Sequence, residues 1–574
     1  MELSLDNRIA GVLAPLFAIR SEDDLGIGDV ASLRQFIDWS LENGFHLVQL
    51  LPINETGGEN SPYMAVSSHA LDPTTIETTP RAIPDLTEND HAKVLSDFDL
   101  RMMRKGPVQY ARVKALKHAL LEKAFTHFEK SKGSRAKEFT AFSKAQVEWL
   151  RDYTIFRVLM EANGCEEWDR WPKEQSTAKK AWDWLSIQSP ARRKALERRM
   201  KYFAYVQWIA YSQWRDLKAY CDRKGVALMG DVPIGVSYYS ADVFSLPQIF
   251  DLTWSGGAPP ERVFKSDPFT EKWGQNWGVP KYRWDVMRTN DFEWWRHRVQ
   301  GVREIFHLFR IDHVLGFYRF YSFPWRPEKN SEFLPLSEEQ ACARTNGRLP
   351  QFLPRDDNTW ENKDANRREG EEYLRRLLAV VGEHRLIGED LGVVPDYVQP
   401  SLTSLGIAGF KVPQWEKGPD GRLIDGARYQ RLAVTTYATH DHEPLKVQWT
   451  KWYQTAVKAH HATPELDELR RLAEFAKISA PMPRPWSQEL HEALLRALFA
   501  SNAWIAVGMI TDLLSSEQRF NVPGTIAESN WAERLPLTVA QMRKDADVCT
   551  KMKKIREMLV ATGRVPSKPS QTAS

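Results

Sequence analysis

Short apolar runs recur along the whole chain, and each has the length and bounding turn residues of a buried strand. They cover residues 11–19, 46–52, 226–236, 307–313, 385–391, 407–413, 432–441 and 503–513. Between them, residues 29–43, 205–223, 292–304 and 370–382 repeat apolar positions every three to four residues, the period of an amphipathic helix. Strands alternating with helices predict parallel β/α units, and eight such units predict an α/β fold of the (β/α)8 TIM-barrel type. Such a barrel places its active site at the C-terminal ends of the strands.

The strands are unevenly spaced. The longest gap, 53–225, is rich in Lys, Arg, Glu, Ala and Trp, with helical periodicity from about Glu88 to Leu196. It predicts a helical insertion over about 85–200 in a single barrel spanning 1–574. Two further connections, 237–290 and 314–369, are rich in Pro, Gly, Asn and aromatic residues, and predict irregular loops over the active-site face. The tail, 562–574, carries Pro566, Pro569 and several serines and is expected to fray. The pair His460 and His461 lies in a polar helical stretch and is expected to be solvated.

Composition narrows the class. The 574 residues are 42% hydrophobic and 27% charged, which excludes a disordered chain and a polytopic membrane protein. With 78 basic against 75 acidic residues, no electrostatic drive toward nucleic acid or an anionic membrane is expected. Cys165, Cys221, Cys342 and Cys549 lie far apart with no C-x-x-C pair, which points to a reducing cytoplasm. The apolar run after Arg8 follows Glu2 and Asp6 and lacks a small-residue cleavage site, so it reads as a strand rather than a signal peptide. Tryptophan is abundant, and the cluster Trp273, Trp277, Trp284, Trp294 and Trp295 suits either a core or the apolar faces of sugars.

Three predicted strands end in acids within short motifs: FRIDHVLGF at 309–317, IGEDLG at 387–392 and YATHDHEP at 437–444. Strand C-termini converge in a barrel, so Asp312, Glu389 and Asp441 can share one mouth, with Asp231 of GDVPIGV at a fourth strand end. Several carboxylates at a barrel mouth suit glycosidic-bond cleavage, in which one acid protonates the leaving oxygen and another attacks or acts as base. Arg310 stands two residues before Asp312, on the same strand face, where its guanidinium would favour the charged carboxylate. Each acid taken singly is more often a helix cap or surface group. Metal ligation through His440, Asp441 and His442 is a weaker alternative, because the acids lack regular ligand spacing.

Together these residues resemble the 4-α-glucanotransferase family (amylomaltase, or disproportionating enzyme; glycoside hydrolase family 77) of the α-amylase group. The similarity runs from Gly11 to about Pro536 outside the helical insertion. It is carried by LGIGD at 25–29, SPY at 61–63, GDVPIGV at 230–236, GAPP at 257–260 and GQNWG at 274–278. The three acid motifs, NVPGT at 521–525 and NWAERL at 530–535 complete it. The resemblance implies Asp312 as nucleophile, Glu389 as general acid/base and Asp441 as a third carboxylate that holds sugar hydroxyls. It further implies that Arg310, His313 and His440 bond the nucleophile or the sugar, that Asp231 supports the site, and that Tyr63 stacks under the sugar. Gln275 and Trp277, in a Gly-rich loop, would meet the acceptor, and Asn521 would belong to the same mouth. The implied substrates are α-1,4-glucans and malto-oligosaccharides, with glucose as an acceptor. With no dinucleotide fingerprint or Walker loop, no cofactor or metal is implied. An α-glucan hydrolase of the same barrel group is the nearer alternative, and a catalytically weak glucan-binding protein is another.

The sequence departs from the family pattern at four places. His442 stands where the family commonly has Asn, and Met64 where it has Gln; Tyr239 replaces an acid and Phe244 a Trp. All four positions are expected to border the sugar subsites.

Overall fold

The computed structural model describes residues 3–260, 267–459, 461–479, 481–523 and 529–565. His460, the Gly524 and Thr525 end of the NVPGT motif, and the tail from 566 onward lie outside the described residues.

Eight strands, β1 (Ile9–Leu13), β2 (Leu47–Gln49), β3 (Ala227–Pro233), β4 (Leu308–Asp312), β5 (Leu386–Gly388), β6 (Gly409–Lys411), β7 (Ala433–Thr435) and β8 (Ile505–Met509), form one parallel sheet. Each lies within or overlaps one of the eight predicted runs. β1 pairs with both β2 and β8, so the sheet curls around, and the parallel bridge Ile387↔Ala408 with Gly388 N–H on Ala408 O at 2.9 Å closes the ring between β5 and β6. The fold is a (β/α)8 barrel.

The runs at 11–19 and 503–513 overshoot their strands. After β1 the chain turns at Pro15 into a short 3₁₀ helix, Leu16–Ala18, and after β8 it enters the helical turn Ile510–Leu513. Both continuations are buried, and hydrophobicity alone does not separate a buried strand from a buried turn.

The two-residue strand period sorts the side chains. On β4, Phe309 and Ile311 face the helical layer, whereas Leu308 joins the apolar plug inside the barrel with Leu47, Ala227, Met229 and Ile387. Arg310 and Asp312 continue the inward-facing row toward the open end, so the polar residues appear where the barrel meets solvent. Gly230 on β3 allows the helix Glu293–Ile305 to end against the sheet, because a Cβ there would lie 2.4 Å from the ring of Phe306.

Helices fill most of 88–224, including Tyr110–Phe128, Val147–Asn163 and the 35-residue Pro190–Lys224. That last helix runs unbroken through position 200 and on to β3. The LGIGD motif is a cap: Asp29 accepts the N–H groups of Ala31 and Ser32 and pairs with buried Lys117 at 3.0 Å. No described helix is long and apolar enough to cross a membrane.

The connections predicted as irregular are partly ordered. Phe250–Ala258, Gln275–Tyr282, Phe320–Phe323 and Gln351–Leu353 form an antiparallel four-stranded sheet that draws strands from both long connections. Its pairing joins residues as far apart as Ser255 and Phe323, which is invisible to local periodicity. Gly257 makes room for it, since a Cβ there would meet Gln275 O at 1.8 Å.

Candidate active site

The C-terminal ends of β3, β4, β5 and β7 open into a cleft of about 1110 Å³. Asp312, Glu389 and Asp441 line it, with Tyr63, Gln275, Trp277, Arg310, His313, His440 and Asn521. Asp231 does not line the cleft; it stands behind Arg310.

Arg310 organises the acids. Its guanidinium pairs with Asp231 Oδ2 at 2.6 Å and Asp312 Oδ1 at 2.6 Å, and lies 3.9 Å from Glu389 Oε2. The strand register makes this possible, because Arg310 lies directly opposite Asp231 across β3 and β4. The two catalytic candidates contact the same Arg310 nitrogen, so these oxygens are no farther apart than the two distances combined, about 6.5 Å. Burial outweighs the pull of Arg310 and, with the charge of Asp312, pushes the Glu389 carboxyl up to about 8. The His313 N–H donates to Glu389 Oε2 at 2.7 Å from a left-handed backbone conformation, φ 51°. Burial lowers the His313 ring to about 4, which keeps it neutral.

Asp441 is held differently. Burial raises its pKa, but His440, whose Nε2 is 3.2 Å away, Asn521, which donates to Oδ1 at 2.6 Å, and His442 together hold it well below the usual carboxylate range. Its side chain remains 41% exposed toward the cleft. Tyr63 donates its hydroxyl to Asp231 at 2.7 Å, and its ring stacks on His440 with centroids 5.0 Å apart. Gln275 and Trp277 lie on a strand rather than a loop, two residues apart and therefore on one face. The indole N–H of Trp277 donates to Gln275 Oε1 at 3.1 Å, and its ring meets His313 edge-on at 5.0 Å.

Several readings of the sequence change. Trp273, Trp294 and Trp295 are buried and Trp284 stacks on Tyr373, so of the tryptophan cluster only Trp277 lines the cleft. Phe244 is fully buried against Phe156 and Trp171, and Tyr239 bonds Arg326 outside the cleft lining, so neither borders the cleft. Met64 and His442 do. Among the described residues, no group of three His, Cys, Asp or Glu side chains is placed to hold a metal.

Other cleft residues escaped the sequence reading. Trp531 packs against Tyr63 and His440 and lies within the NWAERL motif, which could have flagged it. Trp415 is half exposed, and Arg519 ties two loops together by donating to Asp441 O and Asn521 O, both at 2.6 Å. Neither carries a signal in sequence, because both depend on loops that meet only in the fold.

A parallel barrel whose mouth gathers carboxylates, a buried arginine and exposed aromatic rings defines a carbohydrate-active enzyme of the glycoside-cleaving barrels. The model of the family described as 4-alpha-glucanotransferase matches residues 14–538. The chain is 28% identical over 538 residues to the 4-alpha-glucanotransferase of Chlamydia pneumoniae, covering 92% of this chain and 91% of that protein. It is 30% identical over 521 residues to that of Thermus thermophilus, covering 88% and 90%. The amylomaltase from Streptococcus agalactiae in complex with acarbose shares the fold with a TM-score of 0.74 at 23% identity, over 97% of this chain and 99% of that one. The chain belongs to the 4-alpha-glucanotransferase family.

Proposed function

We propose that the chain moves α-1,4-glucan segments by double displacement, with Asp312 as nucleophile, Glu389 as acid/base and Asp441 holding sugar hydroxyls. The observation that carries this reading is the Arg310 contact. It keeps Asp312 beside a cation while Glu389, only 12% exposed and pushed up to about 8, retains the proton that a leaving oxygen needs. The upper limit on the separation of the two acids fits the ~5–5.5 Å of retaining pairs. Asp312 attacks the anomeric carbon and Glu389 protonates the departing oxygen. Glu389 then takes the proton from the 4-hydroxyl of a second glucan or of glucose, which displaces Asp312 and restores an α-1,4 bond.

Arg310, His313, His440 and Asn521 position the acids, Asp231 anchors Arg310 and Tyr63, and Gln275 and Trp277 form the acceptor wall. In the same reading, the helices over 85–200 are an insertion and the 237–290 and 314–369 connections build that wall. A reducing cytoplasm is supported by four cysteines that stand free.

Incubation with maltotriose alone tests the reaction. Transfer yields glucose and chains longer than the donor with little net gain of reducing ends. Reducing ends rising in step with donor loss, without longer chains, would replace transfer with hydrolysis.

A further inference from the structure

His442 lines the cleft immediately after Asp441, and its ring is fixed on two sides. Its Nδ1 faces the backbone N–H of Thr439 at 3.2 Å and the Thr439 hydroxyl at 2.8 Å. Its ring also meets half-exposed Trp415 at an angle of 63°, with centroids 5.0 Å apart. A backbone N–H can only donate, so Nδ1 is the acceptor and the ring proton sits on Nε2. Nε2 bonds no described residue, and the residue borders the cleft. Burial lowers the ring to about 4, with His440, Arg519 and Arg310 adding to the effect against Asp441, so the neutral tautomer persists in ordinary buffers.

We propose that His442 is a substrate-contacting residue whose Nε2–H donates to an oxygen of the glucosyl unit held by Asp441. Asp441 offers only acceptors and His442 only a donor, so the two adjacent residues read neighbouring oxygens of one sugar with opposite polarity. An amide at this position would offer both a donor and an acceptor and would discriminate less. The inference rests on the placement of the reacting sugar between Asp312 and Asp441.

The experiment uses maltotriose and a series of analogues that each lack one hydroxyl, assayed for disproportionation with the wild-type chain and with His442→Phe, which keeps a ring against Trp415. For one analogue, wild type should lose about tenfold or more in kcat/KM, while His442→Phe, already weakened by a similar factor on maltotriose, should lose less than twofold. That hydroxyl is then the partner of His442. His442→Leu, run in parallel, should show the same flattened response at the same position if Phe perturbs folding. Equal losses across the whole series in wild type and both variants would overturn the proposal. Asp312→Ala, assayed on the same donors, isolates the underlying reading: transfer that survives this change would overturn the acid assignment whatever His442 does.

Discussion

Arg310→Met removes the cation that pairs with both Asp231 and Asp312. Arg310 and Asp231 are buried, with side-chain exposures of 4% and 1%, and breaking such a pair by deleting one partner costs about 3–5 kcal/mol, because the other charge stays buried. Asp312 is 27% exposed, so water screens its share, and the Tyr63 hydroxyl still donates to Asp231. The loss should therefore fall near the lower end, about 3 kcal/mol. Without Arg310, the folded-state pKa of Asp231, already raised by burial, rises further above its unfolded value. The folded variant then binds more protons than its unfolded chain, so its stability should fall as pH rises through that pKa and recover in acid. Adding Asp231→Leu removes the stranded carboxylate and should restore more than half of the lost stability, with no recovery of transfer. Urea midpoints across pH 5–8, together with maltotriose turnover, read all three effects. Strictly additive losses from the two substitutions, with no pH slope in Arg310→Met, would refute the claim that Arg310 serves to neutralise buried Asp231.

Three further outcomes follow from the cleft geometry. With Glu389 placed at about 8 by burial and by Asp312, kcat/KM for maltotriose should decline as pH rises through about 8, and Glu389→Gln should lack that limb while azide with an activated donor yields the α-glycosyl azide. Trp277→Ala should lower transfer more than hydrolysis by about 1–3 kcal/mol, measured as the ratio of longer chains to reducing ends, while the fold stays intact. Arg519→Met removes two 2.6 Å bonds that tie the Asp441 loop to Asn521, and should reduce kcat about tenfold with a smaller change in KM; a pure KM effect would place Arg519 outside the positioning of Asp441.

The eight apolar runs, their alternation with helices and the acids at the strand ends were enough to determine the barrel and the three carboxylates at its mouth. These features are local: a strand announces itself by hydrophobic length, and the two-residue period places Arg310 and Asp312 on one face. The sequence could not say where strands end inside buried turns, as after Leu13 and Met509, since burial makes both apolar. Nor could it show that two distant connections pair into a sheet, which turned Trp277 from a loop residue into a strand residue. Only the tertiary structure decided that Asp231 serves Arg310 from behind the cleft, that Phe244 packs in the core, and that Trp531, Trp415 and Arg519 reach the mouth. Each of these depends on segments tens to hundreds of residues apart coming into contact, and periodicity within a single segment carries no information about such contacts.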